Sequence, residues 1–162
     1  HNDHPAEPSF LNIYSTTLYT TLATEAIQVH NAIAGPLWLH VCYQAVHKPY
    51  TTPTGEPIPP ENNGDLVFSQ LLSKMDEGIG NLTTALREAG MWESTIILFF
   101  GDNGGTDCGN NYPLRGGKYK AWEGGMRVVT ALGGGFLPKL AMGTTFSGLV
   151  HVTDWFPTFC GL

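Results

Sequence analysis

The feature that most constrains the fold is an uninterrupted apolar run that follows a long amphipathic pattern. The run Thr95-Ile96-Ile97-Leu98-Phe99-Phe100 is rich in β-branched and aromatic residues. Such a run is typical of a strand buried on both faces, as in a parallel sheet covered by helices. Before it, the spacing predicts a helix from Asp65, which can cap it, to about Ala89, with Gly90 as its end. Its apolar stripe comprises Phe68, Leu71, Leu72, Met75, Ile79, Leu82 and Leu86.

Other elements are predicted on both sides of this unit. A helix from Ser15 to about His30 places Leu18, Leu22, Ala26 and Val29 on one side, with Ser15 or Thr16 as its N-cap. Residues 49–64 hold five of the 11 prolines and are predicted to form a loop. Short strands are predicted at 37–43, 126–132 and 148–152, before a last helix. Strands that alternate with helices predict an α/β fold, a mostly parallel sheet flanked by helices.

Composition and charge exclude several classes of protein. The 162 residues suffice for one domain with a hydrophobic core, and only 14% of them are charged. The formal net charge of -6 gives no basic face for nucleic acid. No apolar run approaches the roughly 20 residues that a membrane-spanning helix needs.

The cysteines and one sequon bear on the cellular setting. The three cysteines lack a CxxC spacing, which excludes zinc and thioredoxin-like motifs: Cys42, Cys108 and Cys160. Cys42 is predicted to be a small buried hydrophobic residue. Asn81-Leu82-Thr83 is a glycosylation sequon on the predicted exposed face of the long helix. A glycan at Asn81 indicates the secretory pathway, either extracellular or lysosomal.

The densest chemical signal is Gly101-Asp102-Asn103-Gly104-Gly105, directly after the apolar run. In open α/β sheets, ligands bind beyond the carboxyl ends of the strands. Asp102 and Asn103 offer side-chain oxygens, which hard cations such as Ca²⁺ prefer. The alternative is a simple turn, since Asp, Asn and Gly are the usual turn residues. Two ligands are too few for a Ca²⁺ shell, so a metal site here needs oxygens from elsewhere.

Several blocks of the sequence match, in order, the motifs of one enzyme family. They are Tyr14-Ser15-Thr16, Tyr43-Gln44-Ala45-Val46-His47-Lys48-Pro49, Met75-Asp76-Glu77, Gly80-Asn81-Leu82-Thr83, Gly101-Asp102-Asn103-Gly104-Gly105, Asn110-Asn111-Tyr112-Pro113-Leu114-Arg115-Gly116-Gly117-Lys118, Trp122-Glu123-Gly124-Gly125 and His151-Val152-Thr153-Asp154-Trp155-Phe156-Pro157-Thr158. Together these blocks resemble the sulfatase family, and most closely its arylsulfatase B-like branch. The resemblance implies that residues 1–162 form one incomplete domain, the C-terminal part of a sulfatase catalytic domain of the alkaline-phosphatase-like superfamily.

The resemblance also implies the site residues. Asp102 and Asn103 would bind the catalytic Ca²⁺, while His47 and Lys118 would sit against the sulfate and the leaving-group oxygen. Cleavage of a sulfate ester builds negative charge on the bridging oxygen, which a cation or a protonated histidine stabilises. Taken alone, a histidine in a loop is more often a surface residue. A lysine among glycines, such as Lys120, is usually a solvated charge.

Other residues of these blocks have structural interpretations. Arg115 is predicted to clamp carboxylates and carbonyls around the glycine-rich loop. Trp122 and Trp155 are predicted to pack. Either Thr153 or Asp154 is predicted to cap the last helix, so Asp154 is interpreted as a cap and not as a ligand.

The family's nucleophile has no match in the chain. Sulfatases attack with a formylglycine made from the first residue of a C/S-x-P/A-x-R motif, and none of the three cysteines fits it. We therefore expect the formylglycine in a missing N-terminal segment of the same protein, which would partner this chain, and expect the chain alone to be inactive.

The sequence thus predicts Ca²⁺-dependent hydrolysis of an aryl or sugar sulfate ester, with this chain supplying half of the active site. Two alternatives stay open. One is a non-catalytic, sulfatase-derived structural or binding protein. The other is a phosphoester or phosphonate hydrolase of the same superfamily, because sulfate and phosphate are both tetrahedral oxyanions.

Overall fold

The architecture consists of helices beside a small sheet. A computed structural model describes residues 8–48, 50–51, 64–106 and 109–162. Most of the predicted proline-rich loop at 49–64, and Cys108, lie outside these residues. The helices are α1 (Ser15–Val29), α2 (Gly64–Glu88), α3 (Glu123–Met126) and α4 (Val152–Cys160), the strands are β1 (Ile97–Phe100) and β2 (Thr130–Gly133), and 3₁₀ turns lie at Pro8–Phe10, Trp92–Ser94 and Lys139–Ala141.

Helices α1 and α2 pack against each other and carry most of the buried residues. On α2, the predicted stripe is largely confirmed, with Leu71, Met75 and Leu86 buried, although Leu72 is 46% exposed. The predicted stripe of α1 is wrong, because its buried residues are Thr16, Thr20, Ala23 and Ile27. The Thr20 hydroxyl tolerates burial because it donates to the Thr16 carbonyl at 2.8 Å and bonds the Tyr43 hydroxyl at 2.9 Å.

The sequence predicts the end of α2 correctly but not the N-cap of α1. Helix α1 begins after Tyr14, whose side chain makes no capping hydrogen bond, so the predicted cap at Ser15 or Thr16 is wrong. Helix α2 ends as predicted, since Gly90 adopts φ 68°. The Met91 amide then donates to the Leu86 carbonyl at 2.9 Å, the hydrogen bond typical of a Schellman motif.

The core lies where the end of α2 meets α1 and β1. Ile27, Ala85 and Leu86 form its buried centre, and partly buried residues surround it: Leu37, Leu82, Met91, Trp92 and Ile97. The chain therefore passes from α2 to β1 through the turn at Gly90 and the 3₁₀ turn Trp92–Ser94. This packing fixes the strand whose end leads into the Asp102-Asn103 segment.

The sheet pairs β1 with β2 in an antiparallel ladder, with Ile97 opposite Gly133 and Phe100 opposite Thr130. The apolar run is thus confirmed as a strand over Ile97–Phe100, but its predicted burial on both faces is wrong, since Phe100 is 38% exposed. The described residues also contain no parallel pair. The predicted strand at 126–132 is wrong in extent, because α3 occupies its first residue and β2 begins at Thr130. Segments 37–43 and 148–152 are not strands, since no described neighbour provides them with a ladder.

Helix α4 begins with a capping box that differs from the predicted cap. His151 is the N-cap residue, and its amide donates to Asp154 Oδ2 at 2.7 Å, so Asp154 closes the box from the third helical position. The predicted packing of Trp155 is confirmed, because its ring stacks on Phe159 at a centroid distance of 6.1 Å. Phe159 also meets Trp38 edge-on at 5.5 Å, which joins α4 to the segment after α1.

Two further predictions concern the burial of Cys42 and the presence of a membrane-spanning helix. The predicted burial of Cys42 is wrong, since Cys42 is exposed and its sulfur lies 3.5 Å from His40 Nε2. In the part of the chain that the structure describes, no helix combines the length and apolar character needed to span a membrane.

Candidate active site

Two residues from distant parts of the sequence meet at the candidate site. Lys118 Nζ lies 3.1 Å from His47 Nε2, although 71 positions separate the two residues. The His47 amide donates to the Gln44 carbonyl at 2.8 Å, which closes a turn that presents the imidazole. The His47 side chain is exposed and that of Lys118 is half-buried. Both predicted catalytic residues are therefore neighbours in space.

The hydrogen bonds of His47 define which ring nitrogen carries a proton. Nδ1 lies 2.7 Å from the Lys48 carbonyl oxygen, which can only accept. Nε2 faces an ammonium, which can only donate. In this arrangement the ring donates through Nδ1–H and accepts at Nε2. Lys118 keeps two further N–H bonds with which to bind an oxyanion.

Asp102 and Asn103 lie just beyond the end of β1. The Gly101 amide donates to the Val129 carbonyl at 3.1 Å and extends the pairing one step past Phe100. After it, the Asp102 carboxylate accepts the Asn103 amide at 2.9 Å, a local turn hydrogen bond. The strand thus ends at this pair, as the sequence predicts.

A backbone hydrogen bond joins the segment of this pair to the segment that carries Lys118. The Lys118 amide donates to the Gly105 carbonyl at 3.3 Å, only two positions after Asn103. Gly104 in turn donates to the Gly125 carbonyl at 2.9 Å. The Asp102-Asn103 segment and the Lys118 segment are therefore held side by side through main-chain contacts.

Gly104 is buried at a point where no side chain fits. A Cβ added there would overlap the carbonyl oxygen of Gly124 and would lie 3.1 Å from the Gly125 Cα atom. The backbone after Asn103 therefore lies directly against the start of α3. This requirement for glycine accounts for one position of the Gly-Asp-Asn-Gly-Gly block on packing grounds alone.

Asn111 ties the two segments together and is the residue that sequence reasoning missed. Its Oδ1 accepts the Gly105 amide at 2.9 Å, and its Nδ2 donates to the Gly105 carbonyl at 2.8 Å and the Gly116 carbonyl at 3.2 Å. The side-chain amide thereby satisfies both backbone groups of Gly105. The sequence matched Asn111 within a family block, but nothing local distinguishes it from Asn110, which only accepts the Tyr112 amide.

The donor groups of Asp102 and Asn103 suit a hard cation, although they do not complete a shell. Asn103 Nδ2 donates to the Gly104 carbonyl at 3.0 Å, so Oδ1 is the atom left for a ligand. Together with the exposed Asp102 carboxylate, this gives the oxygen chemistry that Ca²⁺ favours. Within the described ranges, no group of three or more His, Cys, Asp or Glu side chains could hold a metal. The pair therefore offers oxygen ligands of the type that calcium prefers, and a complete shell would need further oxygens.

Arg115 supports the loop in a way that the sequence did not indicate. Its guanidinium lies over the Trp122 ring, 3.8 Å from the centroid, so the predicted clamp on carboxylates and carbonyls is replaced by a stacking contact. The Arg115 carbonyl accepts the Gly124 amide at 2.9 Å. Trp122 is thus the packing residue that the sequence predicts, with Arg115 as its partner.

Comparison with known families and proteins agrees with this arrangement of motifs. A family model described as Sulfatase matches residues 2–162. Arylsulfatase J of Mus musculus is 38% identical over 169 residues, which cover 99% of this chain and 27% of that protein. Arylsulfatase A of Homo sapiens is 31% identical over 133 residues, which cover 78% of this chain and 25% of that protein. The chain spans about a quarter of the length of these relatives.

Solved structures show the same fold. The crystal structure of Ps i-CgsB in complex with k-i-k-neocarrahexaose superposes with a TM-score of 0.75 and 29% sequence identity, covering 91% of this chain and 34% of that one. A second crystal structure of Ps i-CgsB superposes with a TM-score of 0.65 over 74% of this chain. The predicted α/β class is confirmed by this likeness, and the described elements correspond to part of such a domain.

Proposed function

Because the chain belongs to the sulfatase family, we propose that it supplies part of an active site that hydrolyses aryl or sugar sulfate esters with the help of Ca²⁺. The observation that carries this proposal is the contact between Lys118 Nζ and His47 Nε2 at 3.1 Å. Residues 1–162 would then form one section of a longer catalytic domain, and the formylglycine nucleophile would come from a preceding segment of the same protein.

Lys118 would bind the sulfate group. Its ammonium has three N–H donors, and His47 occupies one of them. The other two can donate to sulfuryl oxygens, where negative charge accumulates as the ester bond breaks. The half-buried position of Lys118 strengthens such an interaction relative to one in bulk water.

His47 would orient Lys118 and would assist the protonation of the leaving-group oxygen. Cleavage of the bond between sulfur and the bridging oxygen leaves an anionic oxygen that needs a proton. The Lys118 ammonium would supply this proton, with His47 Nε2 as its hydrogen-bond partner and the Lys48 carbonyl holding the ring at Nδ1. Proton donation from this pair to the bridging oxygen would complete the departure of the alcohol or phenol.

Asp102 and Asn103 would hold the calcium ion. The proposal rests on their oxygen donors at the end of β1 and on the hydrogen bond that joins Gly105 to Lys118. A calcium ion bound there would polarise the ester oxygens. The remaining oxygen ligands would come from the same preceding segment as the nucleophile.

The secretory pathway is the proposed setting. Asn81 lies on α2 and is exposed, as a glycosylated asparagine must be. A glycosidase-sensitive change in the electrophoretic mobility of the natural protein, lost in Asn81→Gln, would support this setting. Unchanged mobility after glycosidase treatment would contradict it.

Matched aryl sulfate and aryl phosphate substrates test the proposed function. The natural protein should hydrolyse the sulfate faster, should lose this activity on treatment with a calcium chelator, and should regain it when Ca²⁺ is restored. The Asp102→Ala variant should need more Ca²⁺ for half-maximal activity. Preference for the phosphate would indicate a phosphoester hydrolase, and no turnover of either substrate would favour a non-catalytic binding protein.

A further inference from the structure

Tyr119 occupies a backbone position that favours glycine. The Lys120 amide donates to the Gly117 carbonyl at 3.0 Å, so Gly117, Lys118, Tyr119 and Lys120 form a β-turn. Tyr119 is the third residue of this turn and has φ 70°. Because the third residue has positive φ and the second, Lys118, does not, the turn is of the type II class, in which the third position is normally glycine or asparagine.

A tyrosine at this position lowers stability because of its positive φ. Its presence therefore needs an explanation other than stability. A bulky residue with φ in the left-handed region is a conformational outlier, and outliers of this kind concentrate at functional sites. The side chain gains little from burial in return, because Tyr119 is 86% exposed. Neither the conformation nor the packing accounts for a tyrosine here.

The ring lies beside the catalytic pair. Lys118 Nζ is 5.4 Å from the centroid of the Tyr119 ring, within the range of a cation–π contact. The same Nζ atom is 3.1 Å from His47 Nε2. Tyr119 therefore presents an exposed aromatic face next to the ammonium that would bind the sulfate group.

We propose that Tyr119 is a specificity-determining residue whose ring packs against a ring-shaped leaving group, either an aryl ring or the apolar face of a pyranose. This proposal rests on the proposed sulfatase function. A substrate whose sulfuryl group reaches Lys118 places its leaving group within about one ring diameter of Nζ, where the Tyr119 face is accessible. Aromatic side chains favour flat apolar partners. An open-chain alkyl sulfate offers no such face.

Three substitutions separate the ring from the backbone strain. Tyr119→Phe keeps the ring, Tyr119→Ala removes the ring and keeps the strain, and Tyr119→Gly removes both. Each variant of the natural protein is assayed with an aryl sulfate, a pyranose sulfate and a short open-chain alkyl sulfate, and its melting temperature is measured.

The proposal predicts that Tyr119→Ala and Tyr119→Gly raise KM for a ring-bearing sulfate by about three- to tenfold, with little change in kcat. The effect should be the same in both variants, although Tyr119→Gly should melt at a higher temperature than Tyr119→Ala because glycine relieves the strain. Tyr119→Phe should keep the wild-type KM, and KM for the alkyl sulfate should not change. Comparing the aryl and pyranose sulfates identifies which ring the residue prefers.

Equal KM values for the wild type, Tyr119→Ala and Tyr119→Gly on both ring-bearing substrates would overturn the proposal. A correlation between KM and melting temperature across the three variants would also overturn the proposal, because it would indicate a structural role for Tyr119. If the wild type hydrolyses none of the three sulfates, the proposed function fails instead, so the two failures are distinguishable.

Discussion

Lys118 and His47 form a hydrogen-bonded pair, Nζ to Nε2 at 3.1 Å, that joins two loops 71 positions apart. Neither loop belongs to a regular element, so the pair depends on how each loop is anchored. His47 is held by the turn to Gln44, and Lys118 by its amide hydrogen bond to Gly105. The geometry of the pair therefore depends on main-chain contacts that can be tested separately from the chemistry.

Lys118 is expected to be essential for turnover. Lys118→Ala should lower kcat with an aryl sulfate by about 10²–10³-fold, because it removes a positioned donor for developing negative charge. Lys118→Arg should not restore activity, since a planar guanidinium does not replace a compact ammonium at this distance from His47. Lys120→Ala, two positions away and exposed, is the matched control and should stay close to the wild-type rate. Equal losses in both alanine variants would contradict this prediction.

His47 and Lys118 are expected to act as a unit. His47→Ala alone should lower kcat, because Lys118 loses the partner that orients it. The double variant should then lose less than the product of the two single losses, since residues in direct contact are not energetically independent. Steady-state kinetics on the wild type, both single variants and the double variant give this comparison. Strictly multiplicative losses would show that the contact has no part in catalysis.

Asn111 is expected to stabilise the site loops. Asn111→Ala leaves the amide and carbonyl of Gly105 without their side-chain partner, and we expect a loss of about 1–3 kcal/mol in the free energy of unfolding. Asn111→Asp should be no better, because a carboxylate oxygen would face two carbonyl oxygens. Denaturant titration of each variant measures the change. Asn110→Ala, which removes a single exposed hydrogen bond to the Tyr112 amide, should change little, and an equal loss in both alanine variants would contradict the assignment.

Gly104 is expected to tolerate no side chain. Gly104→Ala would force a methyl group against the Gly124 carbonyl, and overpacking of this kind costs about 1–3 kcal/mol. The matched control is Gly80→Ala on α2, where an added Cβ has open space. That change should raise stability by about 0.5–1 kcal/mol, because alanine is a better helix former than glycine. Thermal unfolding of both variants decides the matter, and a wild-type melting temperature in Gly104→Ala would refute the packing argument.

Local patterns in the sequence specified the elements that depend on neighbouring residues. The spacing of apolar residues predicted α2, the apolar run predicted β1, and Gly90 marked the end of α2 through its positive φ. The predicted buried face of α1 was wrong because Thr16 and Thr20 are buried there instead, and the Thr20 hydroxyl bonds Tyr43 on a distant segment. Helical periodicity alone carries no information about such a long-range partner.

The sequence by itself determined the order of the motifs, the chemistry of the candidate ligands, and the helix and strand that lead to Asp102 and Asn103. Periodicity and residue type fix these features because they depend on contacts within a few positions along the chain. Only the tertiary structure decided that His47 reaches Lys118, that Asn111 joins Gly105 to Gly116, and that Tyr119 turns its ring toward the lysine ammonium. These contacts depend on how the glycine-rich backbone packs against itself, and that packing follows from the whole fold and not from any single segment.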